Sequence, residues 1–506
     1  MTAVHELLTR AASGRPGDLA VDDGDVRLSF AELEALCRRQ ASGLAAMGVG
    51  SGDRVAVLGR NSASYAALYF AASSLGAVLV TLNWRLAAEE LTWILEDAGA
   101  SVLVSEPRFE PVLGGREYAL ASVDAPWLGE DHGRDPAPAD PAAAVLQMYT
   151  SGTSGRPKGA VLTHGNWDAM VGAWLRDMDM RPGDRFLQVT PLFHVGGALM
   201  LLSNMARAAS LFLLPEFDPV LAIEALRGHR ITHTLMVPAM IEWLLREPAA
   251  AAAPYDDLRL VVYGAAPMPV PTLRCAAEVL GCDFLQGYGL TETAGVLLTL
   301  TAEDHRAALG ANDAGRLASA GRAVACSEVR LVDPSGEPVP PGTLGEVVAR
   351  GGNLSPGYVV TDGASRTVQD ATGADGWLAT GDIGIADDEG YITIVDRRKD
   401  MILVGGENVY PREVERVLLA LGGIDDVAVI GIPHDVWGEE VLAFAVAPGR
   451  TEADTRPWIR ACRAELARFK CPSRIELVPE LPRNAAGKLL KRTLREPYWR
   501  DKERQV

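Results

Sequence analysis

Apolar and polar positions alternate along the chain in two rhythms. In "LSFAELEALCRRQASGLAAMGVGSGDRVAVLG" (28–59), apolar residues recur at helical spacing, Ser29 and Glu32 form a capping box, and glycines stop the helix before the strand "RVAVLG". Strand and helix go on alternating, which predicts parallel sheets covered by helices. "YAALYFAASSLGAVLVTLNW" (65–84) is the most membrane-like stretch, but Ser73, Ser74 and Gly76 break it. It reads as a buried helix that turns at Gly76 into a buried strand. A Pro- and Ala-rich piece, "HGRDPAPADPAA" (132–143), interrupts the rhythm as a surface connection between subdomains.

From about Gly321 the pattern changes to short strands punctuated by Gly and Pro, which predicts an antiparallel hairpin region and a small barrel. It changes again after "DRRKD" (396–400): a helix starts at Pro411, strands follow in "DDVAVIGI" and "VLAFAVAP", and a last helix lies in "DTRPWIRACRAELARF". The expected fold is therefore α/β. Residues 1–396 form a large N-terminal domain of stacked mixed sheets covered by helices plus a small distorted barrel, with subdomains near 1–140, 141–315 and 316–396. A smaller α+β domain of 397–506 follows.

Length and composition narrow the function. The 506 residues are 48% hydrophobic and 23% charged, as in an ordinary globular protein of several domains. A formal net charge of −18 argues against non-specific nucleic-acid binding, which needs a positive surface. Six scattered cysteines without a C-x-x-C pair read as reduced thiols, and no secretory signal is visible, so a cytoplasmic location is expected. The sequence assigns no oligomeric state. The basic stretch "KLLKRTLREPYWRDKERQV" is expected to be mostly solvated, with at most weak contact to an anionic membrane surface or to phosphates.

"YTSGTSGRPKG" (149–159) is the first chemical signal. A loop at a strand end with small residues, many backbone N–H groups, hydroxyls and one lysine is an anion cradle. Phosphate is its natural guest, although the G-x-x-x-x-G-K-[ST] spacing is absent. Further along stand "PLFHVGG" (191–197), "VYGAAPMP" (262–269), "QGYGLTET" (286–293), "TGD" (380–382), "DRRKDMILVGGENVYPREVE" (396–415) and "NAAGKLLK" (484–491).

Together, in order and over nearly the whole chain, these seven motifs closely resemble the adenylate-forming superfamily, and within it the acyl-CoA ligases of bacteria. The resemblance implies a two-step reaction: a carboxylate and Mg·ATP give an acyl-adenylate and pyrophosphate, and the thiol of CoA then displaces AMP. ATP, Mg2+ and CoA are the implied cofactors, and a small carboxylic acid is the partner.

The resemblance also assigns roles. Thr150, Ser151, Gly152, Thr153, Ser154, Gly155 and Lys158 would hold the β and γ phosphates. Glu292 would be the magnesium ligand, Thr291 would contact the α phosphate, and Tyr288 would lie against adenine, with Gly264, Ala265 and Ala266 lining the base. Asp382 and Arg397 would bind the ribose. Lys399 would be the hinge on which the mobile small domain pivots, and Lys488 would bridge the attacking carboxylate and the α phosphate. Gly405, Gly406 and Trp437 would border the pantetheine arm of CoA, and His194 would close over the acyl carboxylate.

Val195, Gly196, Gly197, Val237, Met240 and Gly289 are expected around the acyl group. Small residues leave room and methionine adapts to irregular shapes, which favours a medium- or long-chain or bulky alicyclic acid. Taken singly, several of these residues have plainer readings: Glu292 as a helix-end carboxylate, Asp382 as a turn residue, Trp437 as core and Lys488 as surface decoration. Two other functions stand beside the ligase. One is an enzyme of a single half-reaction; the other is a non-catalytic adenylate-binding protein, against which the presence of both Lys488 and the "GGEN" loop argues.

Overall fold

A computed structural model describes residues 1–109, 119–122, 131–138, 140–150, 157–252, 254–362, 365–373, 375–405, 407–451, 455–483 and 489–500. The expected sites at Ser151, Gly152, Thr153, Ser154, Gly155, Gly406 and Lys488 lie outside these residues. The chain divides into two compact units, one of Met1–Val329 with Ala349–Leu378, the other of Arg330–Val348 with Ala379–Val506. The expected boundary at 396/397 falls within the second of these units.

Two sheets build the first unit. The nine-stranded sheet has at its centre five parallel strands, in the order Asp283–Tyr288, Leu260–Gly264, His233–Met236, Arg185–Gln188 and Ser210–Leu213. The eight-stranded sheet is parallel through Ala144–Thr150, Val78–Thr81, Arg54–Leu58, Val102–Ser105 and Ala119–Ser122, then antiparallel through Lys158–Thr163, Gly357–Asp362 and Ser365–Asp370.

Strand periodicity explains how both sheets are covered. Side chains alternate between faces, so a strand buried on both sides is apolar throughout. Val55, Val57 and Leu79 point into the same core as Leu211, Leu213, Leu260 and Val262 of the other sheet. Their neighbours Ala56, Leu58 and Val80 pack outward with Leu91, Ile94 and Leu95 of the helix Ala88–Ala98. Phe212, Val261 and Tyr263 pack outward on the far face of the nine-stranded sheet. A layer of helices thus lies between the two sheets.

Within that layer is the helix Ala63–Ser74, of which all residues but Ser64 and Ser74 are buried. It ends at Gly76, whose φ of +69° takes the chain into the strand Val78–Thr81, as the sequence led us to expect. The capping box at Ser29 is also present: the Ser29 and Glu32 side chains each accept the other's backbone N–H. No helix among the described residues is long and apolar enough to cross a membrane.

The hairpin region divides. Ser327–Val332, Leu344–Gly351, Leu378–Ala386 and Ile392–Arg397 make a four-stranded sheet, but Gly357–Asp362 and Ser365–Asp370, expected in the barrel, extend the eight-stranded sheet. The reason is local. Ser355 Oγ donates to the Val161 carbonyl, and Gly357 at φ +151° turns its strand into register with Ala160 and Val161.

In the second unit, the strand Gly438–Val446 is the centre of a five-stranded sheet, paired along its whole length with the edge strand Asp426–His434. One face (Val427, Val429, Val441, Ala443) is packed by the helices Pro411–Ala420 and Thr455–Glu465; the other (Ala428, Ile430, Leu442, Phe444) is packed by Leu494 and Tyr498 of Lys491–Trp499. This is the expected α+β tail.

Candidate active site

The parallel centre of the nine-stranded sheet sends its strand ends to one edge, the place where open α/β sheets bind ligands. Four of these strands end in expected site segments. Asp283–Tyr288 ends at Tyr288 and runs into Gly289; Leu260–Gly264 runs into Ala265 and Ala266; His233–Met236 into Val237 and the helix bearing Met240; Arg185–Gln188 into the turn before His194. Topology therefore gathers residues that the sequence spreads over about a hundred positions.

The backbone is tightly drawn here. A Cβ on Gly264 would fall 2.3 Å from the Gly287 carbonyl oxygen, one on Gly289 would fall 2.5 Å from that of Gly295, and one on Gly197 would fall 2.1 Å from that of Pro191. Packing alone demands glycine at these three positions. Gly196 differs, because among the described residues, its chain neighbours and its own helix backbone aside, nothing lies within 4 Å of a Cβ placed there. Ala265 takes φ +65°, a left-handed conformation that costs a non-glycine residue about 1 kcal/mol. With Ala266 it forms an exposed, methyl-only surface at the strand end.

The second cluster joins the two sheets. Thr150 and Lys158 are paired across antiparallel strands, so both ends of the "SGTSGRP" loop are held in the eight-stranded sheet. Glu292 occupies a three-residue 3-10 turn, too short to offer a helix dipole, and is 9% exposed. Its Oε1 accepts a 2.7 Å hydrogen bond from the Tyr358 hydroxyl, and Thr150 Oγ1 lies 3.5 Å away. Lys158 Nζ sits 5.2 Å from the centre of the Tyr358 ring.

Burial and the adjacent Glu292 carboxylate push the Tyr358 hydroxyl well above its ordinary pKa, so it is a hydrogen-bond donor at neutral pH. The sequence reading missed Tyr358, since "SPGY" looks like hairpin punctuation. One carboxylate with flanking hydroxyls suits Mg2+, a hard ion that keeps several waters and is completed by substrate phosphates. A cavity of about 460 Å3 lined by Trp93, Asp97, Lys158 and Thr361 shares Lys158 with this cluster but none of the expected acyl-pocket residues.

His194 caps the helix Val195–Arg207 and packs against Phe193 at a ring separation of 4.5 Å. Its Nε2 is buried without a hydrogen-bond partner among the described residues. Burial, with Arg85 nearby, lowers its pKa to about 4. The ring is a neutral imidazole at pH 7, able to orient a bound group but not poised for proton transfer there.

The second unit carries its own set. Asp382 and Arg397 are partners across antiparallel strands, and Arg397 Nε lies 3.2 Å from Asp382 Oδ1. The Asp382 carboxylate is buried, and its N–H donates to Thr380 Oγ1 after the left-handed Gly381. Lys399 is pushed below the usual lysine pKa by burial, with Arg397 adding to the effect. Arg495 ties this segment down, donating to the Lys399 carbonyl at 3.1 Å and pairing with the Asp400 carboxylate. Gly405, at φ +61°, donates its N–H to the Trp437 carbonyl; a Cβ there would meet the indole at 2.9 Å. Trp437 itself is 55% exposed, which removes the plain reading of a core residue.

Comparison with known proteins converges on the same chemistry. The model of the AMP-binding enzyme family matches residues 8–359, and that of the AMP-binding enzyme C-terminal domain matches 413–488. A long-chain-fatty-acid–CoA ligase of Mycobacterium tuberculosis is 37% identical, spanning 94% of this chain and 94% of that protein. A fatty acid–[acyl-carrier-protein] ligase of Streptomyces coeruleorubidus is 36% identical, over 95% and 93%. Among solved structures, the o-succinylbenzoate CoA synthetase of Bacillus subtilis with its acyl-adenylate intermediate superposes with a TM-score of 0.85 at 30% identity, covering 96% of this chain and 97% of that one.

Proposed function

We infer the roles of the residues from the family to which this chain belongs, the AMP-binding enzymes, in which it is an ATP-dependent, AMP-forming acid–CoA ligase. The observation that carries the residue assignment is the convergence of His194, Val237, Gly264–Ala266 and Tyr288–Glu292 on one edge of a parallel sheet. Adenine would lie on the methyl surface of Ala265 and Ala266 against Tyr288. The Thr150 and Lys158 ends of the phosphate loop would hold the polyphosphate.

Bound Mg2+ would supply charge neutralisation on the phosphates, and Glu292 would be its protein ligand. Asp382 would accept from the ribose hydroxyls with Arg397 holding its orientation. Lys488 would stabilise the charge that develops as the carboxylate attacks. An ionised carboxylate needs no general base, so orientation and fixed charge carry this step. The buried Nε2 of His194, which has no hydrogen-bond partner among the described residues, supports a role in orienting the acyl carboxylate. After a pivot at Lys399, the mobile small domain would place Gly405, Gly406 and Trp437 along the pantetheine arm.

For the acid itself we favour a medium- or long-chain or bulky alicyclic substrate. Open space at Gly196 and the adaptable Met240 support this, and the fatty-acid ligases among the relatives agree with it. The test pairs acid-dependent ATP–pyrophosphate exchange with mass-spectrometric detection of acyl-CoA over a panel of acids, with an acyl carrier protein as a second acceptor. Exchange and acyl-CoA with the same long or alicyclic acid are expected. Fastest turnover with acetate would remove the substrate proposal, and silence in exchange with transfer from a supplied acyl-adenylate would mean an enzyme of the second half-reaction alone.

A further inference from the structure

Glu292 and Lys158 carry opposite charges around one aromatic ring, yet they do not meet. Among the described residues they form no ion pair; the Tyr358 ring faces the ammonium at 5.2 Å and its hydroxyl donates to Glu292 Oε1 at 2.7 Å. We propose that Tyr358 is a positioning residue for both groups: it anchors one carboxylate oxygen so that the other presents to Mg2+, and it keeps the Lys158 ammonium available for phosphate. This rests on the reading of Glu292 as the metal ligand.

The geometry assigns the work to Tyr358 rather than to its neighbours. Thr150 Oγ1 at 3.5 Å is at the limit of a hydrogen bond and can fix little. Oε2 of Glu292 accepts no hydrogen bond among the described residues, so it is the oxygen left for a metal. Tyr358 is itself fixed: it pairs with Ala160 in the strand that begins at Lys158, and the Glu292 carbonyl accepts the Ser355 N–H at 2.7 Å three residues earlier. Ring, lysine and glutamate are thus held by one backbone framework. A rigid aromatic between the charges prevents their collapse into a pair that nucleotide would have to break, while a cation over the ring face remains attracted to it.

The test reads metal binding directly. Mn2+ is titrated into the protein with an α,β-methylene analogue of ATP and free metal is followed by electron paramagnetic resonance, for the parent, Tyr358→Phe, Tyr358→Leu and Glu292→Gln. Tyr358→Phe should weaken Mn2+ about tenfold, the lower end of the range for lost outer-sphere hydrogen bonds, with an unchanged ligand-free melting temperature. Analogue binding measured in EDTA should survive Tyr358→Phe and fall in Tyr358→Leu, which removes the ring beneath Lys158. Parent-like Mn2+ affinity in Tyr358→Phe alongside loss in Glu292→Gln would overturn the proposal and leave the Glu292 reading standing. Parent-like affinity in both would overturn the two together. A lowered melting temperature with unchanged Mn2+ affinity would make Tyr358 structural only, and that too would overturn it.

Discussion

Buried histidines, His164 and His194 among them, are expected to limit the acid tolerance of the fold. Burial lowers both to about 4, and His164 Nδ1 accepts the Val4 N–H, a bond that a protonated ring cannot make. Between pH 6.5 and 4 the unfolded chain therefore binds protons that the folded one refuses. Their contribution to stability is whole above pH 6.5 and declines as pH falls toward 4. Denaturant unfolding at pH 7.5 and 4.5 should show this loss, and His164→Asn, which keeps an acceptor without a titrating ring, should shrink it. Glycines separate packing from function. Gly264→Ala must displace the Gly287 carbonyl and should cost roughly 1–3 kcal/mol by overpacking. Gly196→Ala has room for its methyl, and we expect unchanged stability with a preference shifted to shorter acids, read from relative kcat/KM across a chain-length series. The difference between these glycines was not visible in the sequence, where both stand in small-residue motifs. Tyr358 was invisible for another reason: its partner Glu292 is 66 positions away.

At the scale of elements, local signals transferred well. The capping box at Ser29, the Pro411 helix start and the broken apolar stretch after Tyr65 each rest on interactions within a few residues, and each appears where the pattern places it. The hairpin Gly357–Asp370 went elsewhere because its sheet is decided by a long-range bond, Ser355 to Val161. Long-range chemistry also secures the segment that precedes the Pro411 helix. Asp396 accepts the N–H groups of Arg397 and Arg412, and Arg495 pairs with Asp400, the two partners being largely buried. Arg495→Ala leaves the Asp400 carboxylate buried without its cation and should cost about 3–5 kcal/mol. A clearly lowered melting temperature is the expected result; an unchanged one would place this pair with exposed ion pairs, whose removal costs little.

At the scale of the whole molecule, the two half-reactions give separable readouts. Lys488→Ala should lower ATP–pyrophosphate exchange on the order of 10²–10³ while transfer from a supplied acyl-adenylate to CoA persists. Lys399→Pro fixes φ near −65° at the proposed pivot and should do the reverse, sparing exchange and reducing transfer roughly tenfold or more. Equal loss of both activities in either variant would refute the assigned role. The helix Ala63–Ser74 has a consequence of a different kind. Enclosed between two sheets with almost no surface of its own, it cannot fray without parting the layers that cover it. Its amide hydrogens are thus expected to exchange with solvent deuterium only through global opening of the first unit, reporting that unit's full stability. Ligands that bind the first unit should slow these amides in step.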